Sequence, residues 1–559
     1  MTVPRSLRLL PLVVLAACSS GGDTASSAAT GATGGTVVIS TPGKPDNFLP
    51  PITTATSGMM VNDLVYQKLA TMGDALNTVG DEGFVPDLAT RWSWSADSLS
   101  LTFALDPAAR WHDGAPVRAA DVAFSFALYM DSVTASPLAP LLANIDSVIA
   151  RDSLTVVAFF HQRRPDQFFG LVQQLYVVPQ HLLANADRAR LAASPLASAP
   201  VGSGPFRVAR WVPDQVLELA ADTTAGRRRA QLDRVMFTFA PDPATAFERV
   251  VTGEADVFEA VRPDKVAEVQ ANKALRLVVA PSLDYNFLGF NLVDASGRAP
   301  HPIFGDRTVR RALTMATDRR SIVSNIYDTL GVQSRGPFTA AMSINDPALK
   351  PLPYAVDSAN ALLDAAGWVR GADSIRRKGG KPLSFGMMTP STSVPRMRAS
   401  VLLQEQFRRI GVEAKVETVD IPIFLERSTK RRYDAIVNQW ALPDPAPANV
   451  NDAWTSASAV DGGHNFSSYR NPAFDAQVDS GLAAFAPAAT RAHFAKAWRI
   501  IADDAPAIWI AEPMRVMAVH SRIQTAGVRA GAWWAGLSRW SIPADKRIAR
   551  DVQAAGAAR

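Results

Sequence analysis

Residue types able to make or break bonds are few and scattered. The chain has 559 residues, with one cysteine and seven histidines. The histidines are His112, His161, His181, His301, His464, His493 and His520, and no two stand three or four residues apart. The sequence therefore has no local helical pair of metal ligands. One thiol supports neither an internal disulfide nor a cysteine zinc cluster. No G-x-x-x-x-G-K-[ST] phosphate loop, G-x-G-x-x-G turn, H-E-x-x-H helix or G-x-S-x-G elbow occurs. No metal and no cofactor is expected. An enzyme would have to assemble its groups from distant loops, and nothing in the spacing points to such a set.

Composition narrows the class further. Hydrophobic residues make up 48% and charged residues 19%, with a net charge of +5. That is an ordinary globular balance. A chain this long should fold as two or three domains. Collagen, polytopic membrane proteins and mostly disordered chains are excluded. So small a positive surplus makes no patch of the kind nucleic acid demands.

The cysteine is informative by position. Arg5 and Arg8 precede an apolar run from Leu9 to Ala17, which ends Leu15-Ala16-Ala17-Cys18. A positive start and a short apolar core read as a secretory signal over residues 1–17. Nine helical residues span roughly 14 Å, about half of a bilayer core. The end of the run resembles the bacterial lipobox. In that motif the thiol receives a diacylglyceryl group and the signal is cut just before it. The resemblance implies lipidation at Cys18 and an extracytoplasmic, membrane-anchored protein, because two or more acyl chains hold stably. From Ser19 to Gly35 every residue except Asp23 is Gly, Ala, Ser or Thr. Residues 18–35 thus read as a lipidated cysteine with a flexible tether, about 20–25 Å r.m.s. long.

The elements that would position a site follow from Thr36. Val37-Val38-Ile39 reads as a buried strand. Leu99, Leu101, Phe103 and Leu105 alternate with polar or small residues as a one-faced strand. Asp113-Gly114 marks a turn, and Asp121–Met130 a helix. Asp306 and Asp318 can cap two further helices. Helices expected at 359–366 and 402–410 close on Gly367 and Gly411. A half-buried strand follows at 412–418, and another strand at 433–440. Helix–glycine–strand repeats imply α/β layers. The last nine residues, 551–559, read as a frayed tail.

Several segments in order resemble the extracellular solute-binding proteins of family 5, the peptide-, nickel- and opine-type receptors of ATP-driven importers. The most specific block is Pro86-Asp87-Leu88-Ala89-Thr90-Arg91-Trp92, then Trp111-His112-Asp113-Gly114-Ala115-Pro116-Val117 and Ala120-Asp121-Val122. Val201-Gly202-Ser203-Gly204-Pro205-Phe206, Gly253-Glu254-Ala255-Asp256-Val257, Phe287-Leu288-Gly289-Phe290-Asn291, Val309-Arg310-Arg311-Ala312-Leu313 and Tyr469-Arg470-Asn471-Pro472 continue the series.

The resemblance implies a class II periplasmic-binding-protein-like α/β fold, with two lobes joined by a two-strand hinge. The first lobe would take 36–285 plus 513–547, with an extra subdomain at about 61–195. The second would take 290–510. Tyr285–Asn291 and Ile508–Pro513 would be the hinge strands. It also implies a peptide-like or small amphipathic ligand between the lobes, delivered unaltered to the permease subunits of an ABC importer. The receptor is expected to be a monomer touching the membrane through its anchor alone. An extracytoplasmic sensor or chaperone without transport is an alternative, and a hydrolase on this scaffold another.

Family members hold a peptide ammonium on an acid three residues after a Trp. Here Trp440 is followed by Pro443 at that place, and the acid stands at Asp444. Asp444 either meets a ligand ammonium or caps a turn. The arginine that dipeptide-type members use for the carboxylate has no clear counterpart; Arg396 and Arg398 lie on the following helix. Trp440 leads the candidate contacts. Asn438, Tyr285, Trp533, Trp534, Asn47, Phe48 and Met59 follow it. Met59 and Met60 are equally core or cleft residues.

Overall fold

The computed structural model describes residues 34–224 and 229–551. The signal, Cys18, most of the tether and residues 552–559 lie outside them.

Two sheets organise the chain. The first has seven strands, ordered Leu275–Ala280, Arg515–His520, Val257–Phe258, Thr36–Thr41, Arg234–Phe239, Val216–Ala221 and Phe206–Val212. The central strand Thr36–Thr41 is buried throughout and pairs in parallel with Arg234–Phe239 and Val257–Phe258. Burial on both faces explains its continuous apolar and β-branched sequence. The second sheet has six strands, ordered Gly331–Gln333, Ala507–Pro513, Asp284–Phe290, Ala435–Ala441, Ser384–Pro390 and Glu413–Val419. Its last three strands run parallel to one another. Each sheet carries its own apolar core.

Among the described residues the main chain passes between these sheets twice. The crossings are the 281–283 link after Ala280 and Met514 between Pro513 and Arg515. Ser282 Oγ donates to the Pro513 carbonyl over 2.6 Å, which pins the crossings together. The two segments expected as hinge strands are interior strands of the second sheet, so the change of sheet falls immediately beside them.

A four-stranded antiparallel sheet, in the order Ala89–Trp94, Ser100–Leu105, Thr155–Phe160, Ile145–Ala150, enlarges the first lobe. Helix Ala119–Met130 packs on it. The Trp-His-Asp-Gly turn and the Gly-Ser-Gly loop are one unit. His112 Nδ1 accepts from Gly202 N–H and its Nε2 bonds the Gly204 carbonyl, each at 3.1 Å. A Cβ on Gly202 would stand 1.9 Å from the Val65 carbonyl oxygen, so this close approach admits no side chain.

The first lobe is closed by a buried ion network. Arg522 pairs with Asp256 at 2.8 Å and with Asp551 at 2.7 Å. Asp256 accepts from Val38 N–H and Asp551 from Thr36 N–H. Asp551, expected to begin the frayed tail, is therefore fixed in the first lobe. Gly34, expected in the tether, already bonds the Gln231 carbonyl. The helix expected at 402–410 is longer, Val394–Arg409, because Pro395 sits in its first turn, where its missing N–H is not needed.

Candidate functional site

Parallel strands place ligands at their carboxyl ends, and in both lobes those ends turn toward the other lobe. On the first-lobe side, strand Thr36–Thr41 ends beside Glu259. Glu259 accepts from Thr41 Oγ1 over 2.8 Å, while its other oxygen is buried with no partner. Burial raises its pKa, and Arg515 opposes the shift. Asp284, just past the first crossing, is also raised by burial and also opposed by Arg515.

On the second-lobe side, strand Ala435–Ala441 presents Asn438 and Trp440 on one face, by the two-residue period of a strand. They lie opposite Phe287 and Tyr285 in the antiparallel register. Trp440 is half-buried, stacked on Phe466 with ring centroids 5.3 Å apart and planes 13° apart. His464 meets the same ring edge-on.

Helix Val394–Arg409 brings Arg396 to this strand. Its guanidinium donates to Asn438 Oδ1 over 3.3 Å and lies over the Phe424 ring at 5.6 Å. Its Nε is buried without a partner, and no carboxylate lies within ion-pair distance among the described residues. Burial lowers its pKa, yet arginine does not give up its proton. Arg398, on the same helix, acts electrostatically on Asp264 of the first lobe. The buried hydroxyl of Thr389, at the end of strand Ser384–Pro390, also lacks a partner.

The loop after Trp440 bridges the lobes. Leu442 N–H reaches the Leu283 carbonyl, and Ala446 is buried in the first-lobe core. Asp444 Oδ1 accepts from Ala446 N–H and from Asn449 Nδ2, each at 2.9 Å. Of the two roles open to Asp444, turn-capping is the one these bonds build. A second contact closes the rim. Phe485 of the second lobe meets Trp94 edge-on with centroids 6.1 Å apart, and the Arg163 guanidinium lies 4.0 Å over its ring.

The remaining candidates disperse. Phe48 is fully buried and meets Trp211 edge-on in the first-lobe core. Asn47 spends its amide on Leu49 N–H, Thr53 and the Ile52 carbonyl, holding its own loop. Tyr285 is buried, its hydroxyl accepting from Trp454 Nε1 over 2.9 Å. Trp533 is core, packed with Trp540. Trp534 instead lines a cavity made of first-lobe residues alone. Met59 is half-buried on helix Thr56–Val65, and Met60 is buried in the core. Reading the sequence left Arg396 as a helix residue and missed Glu259. Only the three-dimensional arrangement reveals that each keeps a buried polar atom unpaired.

Comparison with known proteins decides the family. The family model described as bacterial extracellular solute-binding proteins, family 5 Middle, matches residues 83–462. The chain belongs to this family. It is a family of solute-binding proteins rather than of enzymes. This family 5 protein is 28% identical over 507 residues to a Brucella melitensis protein provisionally named an ABC transporter peptide-binding protein, covering 89% of this chain and 91% of the relative. It is 26% identical over 534 residues to the oligopeptide-binding protein AppA of Bacillus subtilis, covering 93% and 94%. The AppA structure, in complex with a nonapeptide, superposes with a TM-score of 0.68 at 23% identity, over 92% of this chain and 99% of that one. The ABC transporter substrate-binding protein CtaP of Listeria monocytogenes superposes at 0.78 with 21% identity, over 91% and 100%. The two-lobe class II architecture is thus shared. No helix of the described residues is long and apolar enough to cross a membrane.

Proposed function

We propose that this solute-binding protein captures a peptide between its lobes and hands it intact to the permease subunits of an ABC importer, while a lipid on Cys18 anchors it to a bacterial membrane, facing the periplasm or the cell surface. The observation that carries the ligand class is Arg396, a half-buried cation bonded to Asn438, its Nε buried and unpaired, with no carboxylate within ion-pair distance among the described residues. Buried charges are stable when paired, and a guanidinium fork suits a carboxylate. A peptide C-terminus supplies that group, and its side chains supply apolar surface for Trp440 and Phe466. Glu259, with one unpaired buried oxygen, is the acid assigned here to a ligand cation. The names of the Brucella and Bacillus relatives favour the same ligand class.

A ligand that holds the closed form better than the open form shifts the lobes toward closure. Closure then tells a transporter that the receptor is loaded. The test is a thermal-shift screen of tri- to nonapeptides against the purified protein. A true ligand raises the melting temperature with concentration. A panel without any concentration-dependent rise overturns the peptide assignment. Intact mass of the mature protein tests the anchor: a diacylglyceryl-cysteine N-terminus is expected, and an unmodified Cys18 refutes it.

A further inference from the structure

The first lobe contains a cavity of about 460 Å³ that does not belong to the cleft. Its walls come from the 63–87 stretch, from Gln173, from residues around Arg229 and Gln231, and from the 527–539 return of the chain. No second-lobe residue lines it, so its shape is independent of opening and closing.

Its charges are unevenly matched. Asp63 is saturated: Lys68 Nζ lies 2.9 Å away, and Tyr176 OH and Trp534 Nε1 donate to it at 2.8 Å. Asp87 accepts from Gln67 and from Lys68 N–H. Arg529 makes one hydrogen bond, from NH1 to the Met72 carbonyl, and has no ion pair among the described residues. It is half-buried, and burial depresses its pKa; Asp63 and Asp74 oppose the shift, and the neighbouring Arg539 adds to it. Arg229 and Arg539 stand exposed on the same cavity, where Asp74 is also exposed. Gly527 makes room for Arg539: a Cβ there, at a φ of +64°, would stand 2.0 Å from the Arg539 guanidinium. Trp534 is fixed through its indole N–H, so its ring forms a rigid aromatic wall.

We propose that this first-lobe cavity is a second ligand site, for a phosphate ester whose oxyanion meets the free edge of Arg529 under Arg539 and Arg229 and whose organic part lies against Trp534. A phosphate offers several acceptor oxygens to a cluster of guanidinium groups, and arginine suits such multidentate contact. Two sources carry this chemistry, a soluble phosphate ester and a phospholipid headgroup. The second is within reach of the fold. Gly34 bonds the Gln231 carbonyl and Gln231 N–H bonds the Ser538 carbonyl, so the N-terminal segment departs beside the cavity. Cys18 is sixteen positions earlier, at most roughly 55 Å of extended chain.

The test uses the full chain carrying Cys18→Ser, which removes any acyl anchor. Glycerol 3-phosphate is titrated at constant ionic strength, with tryptophan fluorescence and melting temperature as readouts. Vesicles of phosphatidylcholine with one-fifth phosphatidylglycerol form the second arm, read by co-sedimentation. Saturable binding in either arm is expected, weakened at least tenfold by Arg529→Gln and at least threefold by the surface change Arg539→Gln. The arm that saturates identifies the source. Arg539→Gln should leave peptide binding in the cleft unchanged, which keeps this site separate from the peptide reading. Equal effects of sulfate at matched ionic strength, silence in both arms, or full binding by Arg539→Gln would overturn the proposal.

Discussion

Arg396 and Asn438 are joined by a hydrogen bond of 3.3 Å, and the arginine keeps its Nε buried and unpaired. The pair joins the first turn of helix Val394–Arg409 to the middle of strand Ala435–Ala441. An unpaired buried charge costs stability in the empty protein, and on the proposed reading a ligand carboxylate would recover that cost on binding. Charge-assisted hydrogen bonds contribute about 1.5–3 kcal/mol. Arg396→Gln is therefore expected to weaken binding of a free-acid peptide by roughly ten- to hundredfold. Amidating the peptide should weaken wild-type binding similarly and leave the variant nearly indifferent. Calorimetric titration of the four combinations checks this, and additive losses would refute the pairing.

Phe485 stands between Trp94 and Arg163 across the rim. An aromatic pair and a cation–π contact each contribute about 0.5–1.5 kcal/mol. Phe485→Ala should leave each lobe folded and weaken ligand affinity several-fold through easier opening. Small-angle scattering of the variant should show a larger radius of gyration than wild type under sub-saturating ligand. An unchanged radius and affinity would remove Phe485 from closure.

Asp256 and Arg522 tie together the first strand, the return of the chain and Asp551. Removing one partner of a buried pair strands the other and costs about 3–5 kcal/mol. Asp256→Ala should lower the denaturant midpoint of the first lobe by a corresponding amount. A midpoint shifted by less than a quarter of that would mean the network is dispensable.

Glu512 adjoins the second crossing and accepts from Ala340 N–H over 2.7 Å. Burial raises its pKa from 4.5 to about 7. The folded state thus holds a proton that the unfolded chain releases between about pH 4.5 and 7. Its stabilisation is complete below the unfolded value and is lost as pH rises through the folded one. The change amounts to a few kcal/mol, at about 1.4 kcal/mol per pKa unit. Glu512→Gln should flatten the fall in melting temperature over that window. An identical pH profile in the variant would show that Glu512 does not titrate there.

Local chemistry made much of the architecture legible. Asp306 and Asp318 cap their helices as expected, accepting from Thr308 and Ser321 N–H. Gly367 and Gly411 adopt φ of +81° and +80° after theirs. Arg310 was harder to read. Beside the apolar face of its helix it looks like a solvated or paired cation, yet it is buried and donates to the Phe304 and Asp504 carbonyls. The site was less legible for the same reason. Whether Asn47, Asp444 or Arg396 has a free polar atom depends on partners brought in by folding. Trp533 and Trp534 are neighbours in sequence, and one lies in the core while the other lines a cavity.

On the proposed function the cleft holds a peptide and returns it unaltered. Native mass spectrometry after incubation with an equimolar tripeptide to nonapeptide library tests it most directly. The prediction is a one-to-one complex whose added mass equals an intact peptide, released unchanged on denaturation and strongly diminished in Arg396→Gln. No peptide adduct at saturating concentration, or fragments of the library on release, would contradict it.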